Sequence, residues 1–485
     1  MRTAAVAFIL SMLCGTILTP LMRRLAYRFG LLDHALSSRK IHGRPIPRLG
    51  GVAIVLAFYT PLVGLLLFQS GVGQMFLAER NHVIGLFVGG LAIALLGVYD
   101  DLRGAGAGKK FLVQFSVAGL MYALGFRIDI LANPFGEALH LGWFSLPFTM
   151  FWVVGVINAL NLIDGLDGLA GGVALVAVLT TFLISIGRGH PLMVLMSSAL
   201  AGAIVGFLFY NFNPATIFMG DTGSMFLGFV LSTSAIQTNQ KASTAFAVII
   251  PAIALGLPIM DTILAMARRA LRGRPMFQAD KEHIHHRLLA LGLTHRQAVF
   301  VLYGFCVLLG GVALLLTYAN STQTAVLLLA LGAVAFIALR SLGYMRLDRM
   351  ADTALDRRRN KALRAASRPL GRRLRFSRTY DEVWAVLREA VVVFGASYVR
   401  VGPTPEFSHG LDRPDVQVTA AFQARFVLPA TSSTLEMGWL DGRREIDRDM
   451  EIAIDAFCEH LDDAFEMLKA GAVAMPGAAR SGPTA

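Results

Sequence analysis

The sequence predicts an all-α polytopic integral membrane protein of about eleven transmembrane helices, with a small cytoplasmic α+β domain at its C-terminal end. Three observations carry this. Of 485 residues, 55% are hydrophobic and 16% charged, with a mean hydropathy of +0.59. Ordinary soluble domains carry roughly 25% charged residues, so this chain could not cover a soluble surface. It is also too apolar for disorder. Second, apolar stretches recur along residues 1–340 at lengths near those a span needs, roughly 17–25 residues. Third, the composition changes abruptly after Arg340.

The apolar stretches lie near 3–21, 49–68, 83–99, 111–126, 144–163, 168–186, 192–210, 222–237, 244–265, 297–317 and 324–340. Those at 111–126 and 222–237 are the shortest. No small-residue cleavage site precedes Arg23, so the first is expected to be an uncleaved anchor. Basic residues concentrate in alternate loops. Arg23, Arg24, Arg28, Arg39, Lys40, Arg44 and Arg48 follow the first span, Arg103, Lys109 and Lys110 the third, and Arg268 to Arg296 the ninth. The intervening loops hold only Arg80, Arg127, Arg188 and Lys241. The positive-inside rule then places the N-terminus outside, and the basic loops and C-terminus in the cytoplasm of an inner (plasma) membrane protein. The formal net charge of +12 is accounted for by these loops, and no nucleic-acid partner is expected. Cys14, Cys306 and Cys458 are scattered and form no disulfide or zinc framework.

Residues 341–378 are Arg-rich and read as a basic juxtamembrane linker able to lie on anionic lipid. Residues 379–470 read as a small soluble unit, with helices at Tyr380–Phe394 and Ile446–Leu468 and strands at Val416–Leu428 and Thr434–Leu440. The last residues, 471–485, read as a flexible tail. The tail region holds no catalytic constellation, and its partner is unknown.

Carboxylates at membrane depth are costly and need a partner or a task. Six gather at predicted span ends on one side: Asp100, Asp101, Asp164, Asp167, Asp221 and Asp261. Carboxylates this close repel unless a cation neutralises them. Together with nearby amide oxygens they suit a hard cation such as Mg²⁺. Asn158, Asn161, Asp164 and Asp167 recur every three residues, on one face of a helix. Gly165 and Gly168 then allow a backbone break, which membrane depth tolerates only beside a polar cavity. In the loop 266–296, His283, His285 and His286 sit between Lys281 and Arg287, a composition suited to binding phosphate.

Five segments, in order, resemble the polyprenyl-phosphate N-acetylhexosamine-1-phosphate transferases. They are RKIHGRPIPRLGG at 39–51, GVYDDLRG at 97–104, NALNLIDGLDGLAGG at 158–172, FMGDTGS at 218–224 and HIHHRLLALGLTHRQAV at 283–299. The histidine segment is similar to the WecA/TagO-like branch. The related MraY enzymes carry consecutive histidines there.

The resemblance implies transfer of an N-acetylhexosamine-1-phosphate, by default GlcNAc-1-phosphate, from a UDP-sugar to polyprenyl phosphate. UMP is released and a lipid-linked cell-envelope glycan is begun. It implies Mg²⁺, with Mn²⁺ as a substitute. It places Asp221 and Asn161 on the metal. Asn158, Asp167, Asn211, Phe218, His283, His285, His286 and Arg287 would bind the nucleotide-sugar. Asp100 would act on the lipid phosphate, supported by Asp101, with Asp164 organising the diphosphate surroundings. Lys40 and Arg48 would bind the lipid phosphate. A homodimer is left open. The alternatives are MraY-like transfer of phospho-MurNAc-peptide and transport of a lipid-linked sugar. Transporters show repeat symmetry and midplane charges, and neither is apparent here.

Overall fold

The computed structural model describes residues 2–33, 46–67, 73–74, 78–131, 139–239, 249–271, 283–342, 350–402, 409–411, 422–431, 433–443 and 445–473. The chain divides into two compact units. One comprises Met1–Ala267 with Ala279–Arg346, and the other Arg268–Gln278 with Leu347–Ala485.

The first unit is helical. Its helices are α1 (Arg2–Arg28), α2 (Gly50–Leu67), α3 (Arg80–Arg103), α4 (Ala107–Ala123), α5 (Ser145–Ile163), α6 (Leu169–Gly187) and α7 (Pro191–Asn211). There follow α8 (Gly220–Asn239), α9 (Ile249–Ala254), α10 (Gly256–Leu271), α11 (Ile284–Ala290), α12 (His295–Tyr318) and α13 (Ser321–Ser341). Two-stranded antiparallel pairings join β1 (Leu32–Asp33) to β2 (Ile46–Pro47) and β3 (Ile130–Leu131) to β4 (Leu139–His140).

Among the described residues, eight helices are long and apolar enough to cross a membrane. The expected eleven is therefore not reached, and three of the predicted spans explain the difference. Helix α4 is 17 residues long. The segment expected at 244–265 is broken after Ala254. Pro258 has no N–H for the Ala254 carbonyl, so the break falls one turn before it. Helix α8 is polar, but it is an interior element packed on α2, α3, α5 and α6. A helix that faces protein rather than lipid can carry Thr222, Ser224, Ser232 and Thr233 fully buried. Thr233 satisfies its hydroxyl on the Phe229 carbonyl at 2.8 Å.

Close backbone contact sets the packing of α1 on α7. A Cβ at Gly202 would meet the Phe8 carbonyl oxygen at 2.2 Å, and one at Gly206 the Met12 carbonyl oxygen at 2.4 Å. Small residues four apart allow such approach where apolar lipid gives helices no reason to associate.

The second unit has its own core. It contains α14 (Met350–Phe376), α15 (Tyr380–Val393), β5 (Tyr398–Gly402), β6 (His409–Leu411), β7 (Phe422–Leu428), β8 (Ser433–Trp439) and α16 (Arg448–Val473). The sheet is antiparallel in the order β6-β5-β8-β7, with β7 and β8 in register from Phe422–Trp439 to Leu428–Ser433. Leu387, Leu435, Ile454 and Leu461 are fully buried in its core. The stretch 341–378, expected as a linker, is for most of its length α14. Leu370 and Leu374, one turn apart, join this core. Their helical spacing is diluted among arginines, which is why composition alone suggested a linker.

Candidate active site

The ends of α3, α5 and α7, the starts of α8 and α12, and α11 meet around a cleft of about 730 Å³. Arg48, Asp101, Asp164, Asp167, Asn211, Phe218, Asp221 and His286, all expected at the site, line it.

The floor is the start of α8. Asp101 accepts from the Asp221 N–H at 2.8 Å, the Thr222 N–H at 3.0 Å and the Thr222 hydroxyl at 2.6 Å. A carboxylate from α3 thus caps the orphan donors of α8 and meets its positive end. Gly97 allows this approach, since a Cβ there would lie 2.3 Å from Thr222 Cα. Asp221 is thereby held at the cleft edge. Its Oδ1 accepts from Asn161 Nδ2 at 3.0 Å, and Asn161 also bonds Ser224.

Lys110 completes this corner. Its ammonium lies 2.5 Å from Asp221 Oδ2 and is paired with Asp100 as well. Asp100 also accepts from the Ala105 N–H at 2.5 Å. Sequence reasoning used Lys110 only to orient the membrane. Its position ten residues after Asp100 and one turn into α4 was the available signal.

The wall is two loops locked together. Gly168, at φ +76°, donates its N–H to Asn211 Oδ1 at 3.1 Å, and its carbonyl accepts from the Tyr303 hydroxyl at 2.6 Å. Asn211 donates in turn to the Ile217 carbonyl. Asp167 Oδ2 accepts from Asn213 Nδ2 and the Ala215 N–H, and Arg296 grips the Asn213 carbonyl at 2.9 Å. Phe218 is pinned through its backbone to Pro47 and Gly50, which leaves its ring half-buried at the cleft. Asn213, Arg296 and Tyr303 were not anticipated: Arg296 and Tyr303 act on loop backbone, and Asn213 meets the Asp167 carboxylate only once the two loops pack.

Asp164 stands between these parts. Burial, then the negative charges of Asp221, Asp101 and Asp167, push its carboxyl up to about 7. The site therefore gathers more negative charge than it neutralises.

Six expected residues are not on the cleft lining. Asp100 and Asn161 stand behind it, bonded to Lys110 and to Asp221, and the other four lie elsewhere. Asn158 donates at 2.7 Å to Oε1 of Gln114, which is fully buried. His283 Nδ1 lies 2.8 Å from Asp261, whose other oxygen accepts from the Ile284 N–H, so this pair anchors the start of α11. His285 is buried against Gly165, and neither ring nitrogen has a hydrogen-bond partner among the described residues. Burial, and then the neighbouring His286, hold it down to about 3, so it is a neutral ring. Arg287 donates to the Leu342 carbonyl at 2.7 Å. His283 is the N-cap of α11 and is held by Asp261, while His285 and His286 are adjacent helical positions that face different ways, so of the three it is His286 that lines the cleft. Lys40 lies outside the described residues.

The donor set fits a magnesium ion shared with substrate. Asp221 and the Asn161 amide are adjacent oxygen-bearing groups, and the Lys110 ammonium shows that the corner between Asp100 and Asp221 draws a cation. Among the described residues no three His, Cys, Asp or Glu side chains form an all-protein metal cage. Mg²⁺ commonly uses one or two carboxylates and completes its shell with water and substrate phosphate.

Comparison with known proteins agrees with this geometry. Residues 83–239, which hold Asp100 through Asp221, match the model of glycosyl transferase family 4. The probable undecaprenyl-phosphate N-acetylglucosaminyl 1-phosphate transferase of Bacillus subtilis (strain 168) is 41% identical over 299 residues, 61% of this chain and 80% of that protein. The chain belongs to the polyprenyl-phosphate N-acetylhexosamine-1-phosphate transferase family. Within that family, the decaprenyl-phosphate N-acetylglucosaminephosphotransferase of Mycobacterium tuberculosis is 33% identical, covering 65% of this chain and 83% of its own. The phospho-N-acetylmuramoyl-pentapeptide-transferase of Staphylococcus aureus is 27% identical over 64% of this chain and 97% of its own. The residues matched by the family model, 83–239, lie within the helical unit that carries the cleft.

Proposed function

We propose that the protein transfers N-acetylglucosamine-1-phosphate from its UDP-sugar to undecaprenyl or a similar polyprenyl phosphate, releasing UMP. The observation that carries this reading is the convergence of Asp100, Asp101, Asp164, Asp167 and Asp221 with Lys110 at one end of the helices, beside an open cleft. The higher identity to N-acetylglucosaminyl-phosphate transferases than to the muramoyl-peptide enzyme favours the smaller sugar. We place the site and the C-terminus in the cytoplasm, where nucleotide sugars are available.

A phosphate oxygen of the lipid attacks the β-phosphorus of the UDP-sugar. The bond from that phosphorus to the bridging oxygen breaks, and the electron pair leaves with UMP. Phosphoryl transfer of this kind is largely a matter of positioning and charge neutralisation. Phe218 supplies an aromatic surface for the uracil, and the loops tied by Asn211 and Asp167 shape the nucleoside end. Lys110 sits where the diphosphate charge must be met. Asp100 orients Lys110 and the incoming lipid phosphate, Arg48 offers that phosphate positive charge, and His286 faces the sugar-diphosphate end. Mg²⁺ held by Asp221 and Asn161 would supply Lewis-acid charge on the diphosphate.

The test is to incubate the purified protein with polyprenyl phosphate, Mg²⁺ and a panel of UDP-N-acetylhexosamines. UMP and lipid-linked sugar should appear together, fastest with UDP-GlcNAc. Preference for UDP-MurNAc-peptide would move the protein to the muramoyl branch.

A further inference from the structure

Helix α14 is one-sided in a way the transferase reading does not use. Residues 357–378 hold ten Lys and Arg and no Asp or Glu. Asn360, Leu370, Gly371 and Leu374 form its buried side. That side lies on α16, where a Cβ at Gly371 would meet the His460 ring at 2.3 Å. Arg358, Lys361, Arg368, Arg372 and Arg375 are exposed. They are spaced by three, four or seven residues, so they form one stripe along the opposite side. Phe376, 80% exposed, lies on the same stripe at its end. Arg373 is off the stripe and is paired with Glu389 at 2.6 Å.

A largely exposed phenylalanine at the end of a single-sign cationic stripe is poorly suited to water. It is well suited to an anionic bilayer surface, where the cations meet headgroups and the ring enters the acyl boundary. We propose that this face of α14 docks the C-terminal unit on the anionic lipid of the membrane in which the chain resides. Charge complementarity and tethering favour lipid over a soluble partner. Seven residues of sequence separate Leu342, which follows the last candidate span, from Met350 at the start of α14.

The test uses the full chain in nanodiscs. One form carries an environment-sensitive fluorophore at Phe376→Cys, another at Val392→Cys, an exposed site on α15 away from the stripe. Cys306 and Cys458 are buried, and labelling of the unsubstituted chain gives the background. In discs containing phosphatidylglycerol, the 376 probe should shift to the blue and be quenched several-fold less by aqueous iodide than in phosphatidylcholine discs. The 392 probe should not change. High salt, or joint replacement of Arg368, Arg372 and Arg375 by Gln, should abolish the protection. Equal quenching at 376 in both lipids would overturn the proposal, as would equal protection at 392. Stronger protection by a soluble polyanion in phosphatidylcholine discs would also overturn it, in favour of a soluble acidic partner. UMP release is read separately, so either result stands apart from the transferase assignment.

Discussion

The ammonium of Lys110 lies 2.5 Å from Oδ2 of Asp221, a residue 111 positions away in sequence. The same ammonium pairs with Asp100, so one cation joins the end of α3, the start of α4 and the start of α8. Lys110→Gln keeps a polar side chain of similar reach and removes the charge. Losing one preorganised charge-stabilising donor typically costs about 10²–10³-fold in rate. We expect a fall in kcat of that order with the protein still folded in the membrane. Unchanged kcat would leave Lys110 a purely structural tie.

Asp101 is expected to act chiefly on the start of α8. Its oxygens accept from two backbone N–H groups and the Thr222 hydroxyl. Asp101→Ala should lower stability by about 0.5–2 kcal/mol, the usual range for a lost cap, and reduce activity through misplacement of Asp221. Thermal unfolding in detergent reads this. A lost activity with an unmoved Tm would put Asp101 on the substrate instead.

Much of this site was legible because its residues are chemically expensive. Asp164, Asp167 and Asp221 at span ends demanded a joint explanation, and they do share one cleft. The contacts that hold them were not legible, since Lys110 to Asp221, Asn211 to Gly168 and Arg296 to Asn213 arise only when distant helices pack. The histidine segment misled for a related reason. Phosphate chemistry suits all of His283, His285 and His286, but Asp261 takes His283 and Gly165 receives His285. For the spans, 222–237 is one of the two shortest apolar stretches, and the α8 found there carries buried Thr and Ser against neighbouring helices.

Asp164 makes a pH prediction. Its carboxyl is raised from 3.8 to about 7, by burial first and then by neighbouring carboxylates. The folded state therefore holds a proton that the unfolded chain releases earlier. That contribution to stability is full below the unfolded value and is lost as pH rises through about 7. Unfolding measured in detergent should show wild-type Tm falling across this window, and Asp164→Asn should flatten the fall. Added Mg²⁺ should flatten it too, by favouring the charged carboxylate. Identical pH profiles for the two proteins would remove Asp164 from the electrostatics of the site.

Gly165 tests the packing of His285 behind the cleft. A Cβ there would sit 2.4 Å from His285 Nε2, so Gly165→Ala must displace either the buried ring or the loop carrying Asp164 and Asp167. Overpacking of this kind costs about 1–3 kcal/mol. KM for the nucleotide-sugar should rise, with kcat less affected. Normal kinetics would show that the loop tolerates movement.

The central claim is that the carboxylate corner transfers the β-phosphate of a nucleotide-sugar to a lipid. The direct measurement supplies UDP-GlcNAc labelled at the β-phosphorus to reconstituted protein with polyprenyl phosphate and Mg²⁺. The label should pass to the lipid fraction in step with equimolar unlabelled UMP, and Asp221→Asn should reduce both by orders of magnitude. Label remaining in the aqueous phase with wild-type protein, or full transfer by Asp221→Asn, would contradict the account.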